Sequence, residues 1–564
     1  MQRLTQKAIF FGAELIGHSE VDHHRRSAER ECGKLSIPKR KPRSIWEKRS
    51  IFDCENPTIK KRSMSKTFVL PVLALILLGC TFEGIQQEES KPRVIVTTDG
   101  EVDDMDSFIR LLLFANEFHI EGLVYSSSQW HYKGDGQGTL FTSEMPGTAR
   151  RYGERTDLRW PGTTWMQELI EKYGQVYDNL STHAKGYPSP DYLLSIIRTG
   201  NIDFEGDMKE DTEGSDFIKE ILLGDEKGPV YVLVWGGTNT LARALKSIED
   251  EYKGGENWER VYAKVSDRTF IYTILDQDAT YTRYVAPNWP EIRVIYNTAQ
   301  FWSFAYMWPM VVPDHMRPFM EGEWFAQHIK FNHGPLLDNY YLWGDGTQIE
   351  GDPEHTHGDI EEAEQRHRKQ YDFISEGDSP SFFHLIDFGL RSMEDPTYGG
   401  LGGRFVRSAD NPSRWEDGRE VGDLNPQTGE MDPSYPQVRW IRVLQNDFAA
   451  RADWCVREYE DANHAPEVTL ENPADLTARA GETVELSASA IDPDGDELSY
   501  TWWQYVEAGT CKIPVQIEGT GSRNAAVTLP GNVNPGKTIH IILEVTDHGN
   551  PQLTRFARTI ITVK

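Results

Sequence analysis

The spacing of apolar residues changes repeatedly along the chain, and each change predicts a new element. Arg93–Thr98 (RVIVTT) is a run rich in β-branched residues, which predicts a buried strand. Asp104–Phe118 carries apolar residues at helical intervals, and Ile120–Ser126 (IEGLVYS) predicts a second strand. Because a strand, a helix and a strand in succession form a βαβ unit, the pattern predicts a parallel sheet.

The same alternation continues beyond this unit. Three further apolar runs predict strands at Val230–Trp235, Thr269–Leu275 and Ile292–Tyr296. The sequence therefore predicts an α/β fold for residues 93–462, with an open, mostly parallel sheet and flanking helices. Helical spacing occurs at Trp165–Tyr173, Asp191–Arg198, Ser215–Leu223 and Thr240–Leu245.

The pattern changes again near Asn463, where short stretches of alternating apolar and polar residues begin. About 100 residues of this kind predict an immunoglobulin-like β-sandwich at residues 463–564. Asp-Pro-Asp-Gly-Asp at 492–496 lacks the trailing Glu of an EF-hand and favours a tight hairpin turn, with or without Ca²⁺. Trp502 and Trp503 point to opposite faces, so we expect one in the core and one exposed for stacking on a sugar ring. The predicted strands are Glu467–Leu470, Thr483–Ala490, Leu498–Tyr505, Ala525–Leu529, Thr538–Thr546 and Arg555–Val563.

A short apolar run precedes all of these elements. Residues 64–80, MSKTFVLPVLALILLGC, place a Lys behind a Met, then about a dozen apolar residues, then Gly and Cys80. The run is shorter than the roughly 20 residues of a membrane span and is typical of a bacterial lipoprotein signal peptide; an internal core segment is the alternative. We expect residues 1–63 to be a spurious extension, Cys80 to carry the lipid, and residues 81–92 to form a tether. Thr81 after the cysteine favours the outer membrane, so the expected location is the cell envelope.

Charge and cysteine content limit the expected partners and the expected state of the thiols. The net charge of −29 excludes nucleic acid as an expected partner, because a phosphate backbone would be repelled. Residues 1–63 differ from the rest, with 15 Lys and Arg against 8 Asp and Glu. Outside the leader only Cys455 and Cys511 remain. They either pair in an oxidising periplasm or stay as two partly buried thiols.

Polar residues follow each predicted strand of the first domain. Ligands of an open parallel sheet bind at the carboxyl ends of its strands, so these residues are expected at one edge. Carboxylate and amide oxygens there suit Ca²⁺ or Mg²⁺ rather than Zn²⁺. Helix N-capping explains one acidic residue but not three together. In strand order the residues are Asp99, Asp103 and Asp104; Ser126–Ser128; Gly236–Asn239; Asp276 and Asp278; and Asn297.

The spacing Asp-x-x-x-Asp-Asp at residues 99–104 resembles the inosine–uridine nucleoside hydrolases, whose first strand ends in Asp-x-Asp-x-x-x-Asp-Asp. Thr97 stands where that pattern begins with Asp. The chain is most similar to a divergent, cellulose-binding branch of that family, which has a small C-terminal β-domain. The shared motifs are TTDGEVDD, GLVYSSS, YTILDQD and EGDSPSF, and the resemblance covers residues 93–564.

The resemblance implies roles for individual residues. It implies a Ca²⁺ held by Asp99, Asp104, the Thr238 carbonyl and Asp378, with Asp99 also the general base that takes a proton from water. It implies that Asp103 and Asn297 bind sugar hydroxyls, and we add Asn239, Ser128 and His131 at the same edge as substrate-binding candidates. Glu101 and Asp106 fall outside the pattern and are expected to be solvated or helix-starting charges.

One part of the family pattern is missing. The histidine that protonates the leaving group is replaced by Gly377, directly before Asp378. His131 and His384 are the alternative acids, although a structural role is the plainer expectation for each, and His355 and His357 are expected in an exposed loop.

Two functions follow from these observations. The first is a cell-envelope lipoprotein that hydrolyses the glycosidic bond of a sugar-containing substrate with a divalent cation. The second is a cellulose- or polysaccharide-binding lipoprotein on the same scaffold without catalysis.

Overall fold

The computed structural model describes residues 91–564; the predictions for the signal peptide, the lipidated Cys80 and the tether up to residue 90 lie outside the described residues. Eight strands form one sheet in the order β5-β2-β1-β6-β7-β8-β10-β9, parallel throughout except for the edge pair β9–β10. The strands of the first domain are β1 Arg93–Thr98, β2 His119–Tyr125, β3 Phe141–Thr142, β4 Glu154–Arg155, β5 Ile197–Thr199, β6 Val230–Val234, β7 Thr269–Ile274, β8 Arg293–Asn297, β9 Val406–Arg407, β10 Arg414–Glu416, β11 Asp423–Asn425 and β12 Glu430–Asp432.

Helices cover both faces of this sheet. Alternate residues of β1 enter different cores: Val94 and Val96 pack into one apolar cluster and Ile95 into the other. This is why the strand reads as a continuous apolar run rather than as an alternating one. The α-helices of five or more residues are Val102–Leu113, Pro146–Tyr152, Trp165–Gly174, Tyr177–His183, Pro190–Ser195, Glu213–Leu223, Asn239–Tyr252, Trp258–Arg268, Ile360–Gln365, Ser379–Phe383 and Ile441–Trp454.

The predicted strands and helices of the first domain are found within a few residues of their expected ends. One segment differs: the pattern at 191–198 predicts a single helix, whereas Pro190–Ser195 is helical and β5 pairs with the edge of β2. The β-branched Ile197 and Thr199 favour the strand once β2 offers an open edge. Periodicity alone does not detect so short an edge strand.

Residues 467–563 form two four-stranded sheets, in the orders β13-β15-β18-β17 and β14-β20-β19-β16. Trp502 is buried between them, as expected for one of the two tryptophans. The prediction for the other is wrong: Trp503 packs against Trp440 and under the Arg439 guanidinium of the first domain. The strands are β13 Glu467–Leu470, β14 Asp475–Ala478, β15 Thr483–Ile491, β16 Leu498–Gln504, β17 Gln516–Glu518, β18 Asn524–Thr528, β19 Thr538–Asp547 and β20 Thr554–Val563.

A buried carboxylate holds the sandwich to the first domain. Asp423 accepts hydrogen bonds from Arg404 at 2.9 Å, from Arg439 at 3.1 Å and from the Tyr505 hydroxyl at 2.6 Å. Nearby, Arg558 of the sandwich donates to the Tyr398 and Gly399 carbonyls. Each buried charge at this junction therefore has a partner.

Two further sequence expectations concern cysteines and membranes. Cys455 and Cys511 are both buried and neither forms a disulfide, which is the second of the two alternatives. Within residues 91–564 there is no helix with the length and apolarity that a membrane crossing demands.

Candidate cation and sugar site

The loop after β1 delivers three carboxylates to the carboxyl edge of the sheet. Gly100 has a φ of +81°, and a Cβ there would lie 2.8 Å from Pro161, so this tight turn favours glycine. Asp103 and Asp104 lie in the first turn of the helix that begins at Val102, and Asp104 accepts a hydrogen bond from the Thr98 hydroxyl. The turn thus bends the chain back over the end of its own strand.

A fourth carboxylate comes from a distant segment. Oxygen atoms of Asp103, Asp104 and Asp378 lie within 4.8 Å of one another, and all three side chains are buried. Asp378 precedes the helix Ser379–Phe383, and two residues before it Glu376 pairs with the fully buried Arg110 at 2.5 and 2.9 Å. This ion pair fixes the EGDSPSF motif against the helix that carries Asp103.

Asp99 lies beside these three carboxylates. Its Oδ2 is buried without a hydrogen-bond partner in the described protein. Burial pushes the pKa of Asp99 upward, but His131, Ser128 and Asp104 outweigh burial and hold the pKa below its ordinary value. Asp99 is therefore ionised at neutral pH.

The other carboxylates behave in the opposite way. Burial, followed by Glu101 and Asp99, raises the pKa of Asp103 to about 8. Burial and the neighbouring carboxylates also raise the pKa values of Asp104 and Asp378 well above the ordinary range. A cluster that cannot ionise fully in the apo protein is matched to a divalent cation, because the cation would supply the missing positive charge.

A cavity of about 190 Å³ opens onto these carboxylates. Half-buried Trp130 and Trp302 contribute aromatic surface to its wall, and Arg159 contributes a guanidinium. A larger cavity of about 730 Å³ lies at the amino ends of β1, β2 and β6, away from these carboxylates. The clustered carboxylates therefore line the smaller cavity and not the larger one. Its lining is Asp99, Glu101, Asp103, Asp104, Trp130, Arg151, Arg159, Trp235, Ile274, Leu275, Gln277, Phe301, Trp302, Ala305, Tyr306 and Asp378.

His131 lies behind Asp99 rather than on the cavity wall. It is fully buried, with Nδ1 3.6 Å from Asp99 and Nε2 3.7 Å from Asp352. Burial and Arg159 act to lower its pKa, but Asp352, Asp99 and Glu101 outweigh them and raise it to about 9. His131 thus lies within an acidic cluster behind Asp99 and does not line the cavity.

Several predicted site residues are held by other contacts. Asn297 donates to the Tyr272 hydroxyl and accepts from the Phe301 N–H, and it does not line the cavity. Asn239 donates to Ser127 and to the Asn201 carbonyl. These contacts tie the two amides to the edge of the sheet, although the Oδ1 atom of Asn239 is buried without a hydrogen-bond partner among the described residues.

Thr238 and Ser128 do not line the cavity. The Thr238 carbonyl accepts the Ala242 N–H at 2.9 Å, the first hydrogen bond of its helix. A Cβ on Gly236, two residues earlier, would lie 2.8 Å from Asp99, so the Thr-Asn turn packs against the first loop. The Ser128 hydroxyl accepts the N–H groups of Trp130 and His131 and so orients that loop.

Glu101 and Asp106 are more enclosed than solvated charges would be. Glu101 is the N-cap of the helix that starts at Val102, which agrees with a helix-starting residue, but it also lines the cavity, accepts from the Tyr306 hydroxyl at 2.9 Å and lies 3.7 Å from Arg159. Asp106 is fully buried inside the helix and accepts the Tyr341 N–H at 2.8 Å. Neither residue is solvated, because segments beyond residue 300 fold back over this helix.

The sequence offered no signal for Arg159 and Asp352. Arg159 donates both guanidinium ends to Asp352, at 3.0 and 2.9 Å, and this pair joins two loops beside the cavity. The same loop corrects another expectation: His355 is buried rather than exposed, with its Nδ1 3.3 Å from that of His357. His384 is buried away from the cavity, and burial lowers its pKa to about 4, which fits a structural residue.

Comparison with known proteins agrees with this geometry. Residues 93–405 match the family model for the cellulose-binding Sde182 nucleoside hydrolase-like domain, and residues 483–563 match the Sde0182 C-terminal domain. The first match alone covers more than half of the chain, so the protein belongs to the nucleoside hydrolase-like Sde182 family. The predicted family and fold class are confirmed.

One solved structure supports the same assignment over nearly the whole described chain. A nucleoside hydrolase-related hypothetical protein from Saccharophagus degradans, associated with carbohydrate metabolism, is 27% identical with a TM-score of 0.62. The match covers 84% of this chain and 100% of that one.

Other solved structures are much less similar to this chain in sequence and in fold. The plant nucleoside hydrolase PpNRh1 is 10% identical with a TM-score of 0.30, over 64% of this chain and 99% of that one. No curated protein matches the chain.

Proposed function

We propose that this protein is a cation-dependent hydrolase of glycosidic bonds in sugar-containing substrates. The observation that carries the proposal is the convergence of Asp103, Asp104 and Asp378 within 4.8 Å at a cavity that Asp99 also lines. Buried like charges are unfavourable without compensation, so their retention at a cavity mouth favours a functional role.

The donor set fits a hard divalent cation. The three clustered oxygens belong to carboxylates, which Ca²⁺ prefers, and the Oδ2 atom of Asp99 is buried without a hydrogen-bond partner among the described residues. Asp99, Asp104, Asp378 and the Thr238 carbonyl are the proposed ligands, with Asp103 next to them. A bound cation would supply positive charge that favours ionisation of water near neutral pH.

The proposed reaction uses Asp99 as the general base. Its carboxylate takes a proton from water while the water oxygen bonds to the anomeric carbon and the glycosidic bond breaks, with the bonding electrons leaving on the departing group. The imidazolium of His131 lies behind Asp99 and keeps it ionised. Trp130 and Trp302 provide faces on which a sugar ring or a leaving group stacks.

The test compares the purified protein with an Asp99→Asn variant on nucleosides and plant-wall oligosaccharides, with and without EDTA. We expect turnover that EDTA removes, that Ca²⁺ restores and that the variant lacks. Product formation that is insensitive to both EDTA and the substitution would contradict the proposal.

A second function has its own support. Thr97 and Gly377 stand where the hydrolase pattern has an Asp and a His. The matching family is described as cellulose-binding, so a polysaccharide-binding protein without catalysis is the alternative. Retention on insoluble cellulose by both wild type and Asp99→Asn, with no turnover of any substrate, would favour binding alone.

The proposed location is the cell envelope, with the chain anchored by a lipid on Cys80, most simply in the outer membrane. The support is the sequence pattern at residues 64–80. Incorporation of labelled palmitate in cells tests the proposal, and Cys80→Ala should abolish the label. Label that persists in this variant would contradict the anchor.

A further inference from the structure

Two buried histidines lie end to end where the first domain meets the sandwich. His183 is the last residue of its helix, and His464 lies in the segment just before β13. Nδ1 of His183 is 3.0 Å from Nε2 of His464. Trp454 stacks on both rings, with centroids 5.3 Å from each, and Tyr459 stacks on His464 at 3.9 Å. The pair is thus enclosed by aromatic surface.

The outer nitrogens of the pair face hydrogen-bond acceptors. Nδ1 of His464 is 3.0 Å from Oδ1 of Asp494. The other carboxylate oxygen, Oδ2, accepts the His464 backbone N–H at 2.6 Å. Nε2 of His183 is 2.9 Å from the carbonyl oxygen of Arg457. Asp494 belongs to the Asp-Pro-Asp-Gly-Asp turn, so this turn contacts the junction and does not only connect two strands.

Counting protons decides the charge of the pair. A carbonyl and a carboxylate only accept, so the outer contacts need protons on His183 Nε2 and His464 Nδ1. The central contact between the two rings needs a third proton. Two neutral imidazoles carry only two protons, so one ring must be an imidazolium if all three hydrogen bonds are made.

The surroundings indicate which ring carries the charge. Burial lowers the pKa of His183, against a smaller opposing effect from the Arg457 carbonyl, so His183 is neutral and its Nδ1 accepts. His464 then donates at both nitrogens, to Asp494 and to His183. The charged groups that surround the pair and Tyr459 are Asp492 and Asp494 of the turn, Glu458 and Glu460 of the connecting segment, and Glu467 of β13. These groups are acidic and favour a cation, whereas Arg457, the basic residue of the connecting segment, pairs with Asp453 at 3.0 Å.

We propose that His464 is a buried imidazolium that fastens the sandwich to the first domain, and that loss of its proton breaks its contact with His183. After deprotonation, only two protons remain for three hydrogen bonds. One contact between groups that are shielded from water is then lost, which is unfavourable. The junction is therefore tighter in acidic than in alkaline solution.

The direct test is nitrogen NMR of the full protein labelled with ¹⁵N-histidine, assigned with His183→Gln and His464→Gln. At mildly acidic pH we expect His464 to carry protons on both nitrogens and His183 to be the neutral Nε2–H form. Asp494→Asn removes the carboxylate and should leave His464 neutral at the same pH. Asp492→Asn is the matched control, since it removes the same charge from the same turn without contacting either histidine. Two neutral rings in the wild type, or an unchanged spectrum in Asp494→Asn, would overturn the proposal.

Hydrogen–deuterium exchange of residues 457–464 tests the consequence. After correction for intrinsic rates, exchange should be about tenfold faster or more once His464 loses its proton, as a charged hydrogen bond is lost. Asp494→Asn should show the fast rate already in acid, and Asp492→Asn should not. Exchange that stays the same in wild type across the pH range, or protection that instead requires added Ca²⁺, would show that no proton holds the junction.

Discussion

Two regions of this protein bury carboxylates, and they treat them differently. At the domain junction, Asp423 is fully buried but accepts hydrogen bonds from Arg404, Arg439 and Tyr505. At the edge of the main sheet, Asp103, Asp104 and Asp378 are buried together without a basic partner among the residues that the structure describes. The first arrangement stabilises the fold. The second is unfavourable for the protein by itself and is the arrangement that the proposed cation would relieve.

The contrast shows why burial alone does not identify a functional site. A buried charge with full compensation belongs to the packing, and replacing it disturbs the structure. Several uncompensated carboxylates that meet at a cavity are instead the arrangement that a bound cation would stabilise. Removing it should harm function more than it harms the fold.

The largest expected effect is on catalysis. Asp99→Asn keeps the shape of the side chain but removes the proposed base, so activity on a cleavable substrate should fall by roughly 10²–10⁴-fold. Steady-state kinetics with Ca²⁺ present measure the loss. Asp106→Asn is the matched control, because Asp106 is buried in the helix that follows the Asp99 loop but does not line the cavity. Equal losses in the two variants would indicate a general effect of charge removal.

The next largest expected effect is a loss of folding stability when the buried carboxylate at the domain junction is removed. Asp423→Ala strands the guanidinium groups of Arg404 and Arg439, and removing one partner of a buried ion pair costs about 3–5 kcal/mol in the free energy of unfolding. Urea unfolding followed by fluorescence measures this loss. Glu430→Ala, on the exposed partner strand of the same hairpin, should change stability little. If both variants are equally stable, Asp423 does not hold the junction.

The carboxylate cluster should make stability depend on pH. The pKa of Asp103 is about 8 in the folded state and near 4 in an unfolded chain. Between these values the folded state binds more protons, so the free energy of unfolding falls as pH rises from about 4 to 8, by at most about 1.4 kcal/mol per pH unit for this group. Urea unfolding of wild type and Asp103→Asn in EDTA isolates the effect.

The variant should lose this part of the pH dependence, and Ca²⁺ should reduce it in the wild type. A steeper fall in Asp103→Asn than in the wild type would contradict the assignment. That outcome would also mean that the carboxylates at the sheet edge do not differ from Asp423 in the way described above.

The smallest expected effects concern aromatic residues. Trp503→Ala removes packing against Arg439 and Trp440 at the junction and should lower the free energy of unfolding by about 1–3 kcal/mol without weakening sugar binding. Trp302→Ala at the cavity should do the reverse, weakening sugar binding by roughly tenfold with little change in stability. Calorimetry and urea unfolding on both variants provide the comparison. Matching profiles would mean that the two tryptophans do not differ in role.

The sequence by itself determined the family, the parallel sheet and the β-sandwich, because these depend on local periodicity and on motifs that follow each strand. It also placed Asp103, Asp104 and Asp378 at one edge of the sheet, although it assigned Asp103 to a sugar hydroxyl and Asp99 to the cation. These signals are local, so they can be read without knowing which segments touch.

Only the tertiary structure decided which of those residues share a cavity and which hold other segments. It removed Asn297 from the cavity wall, brought in Glu101, Arg159 and Tyr306, and turned Trp503 inward against Arg439. The reason is physical: a polar side chain takes whichever partner lies within about 3 Å, and partners 25 to 205 residues away leave no mark on the spacing of neighbouring residues.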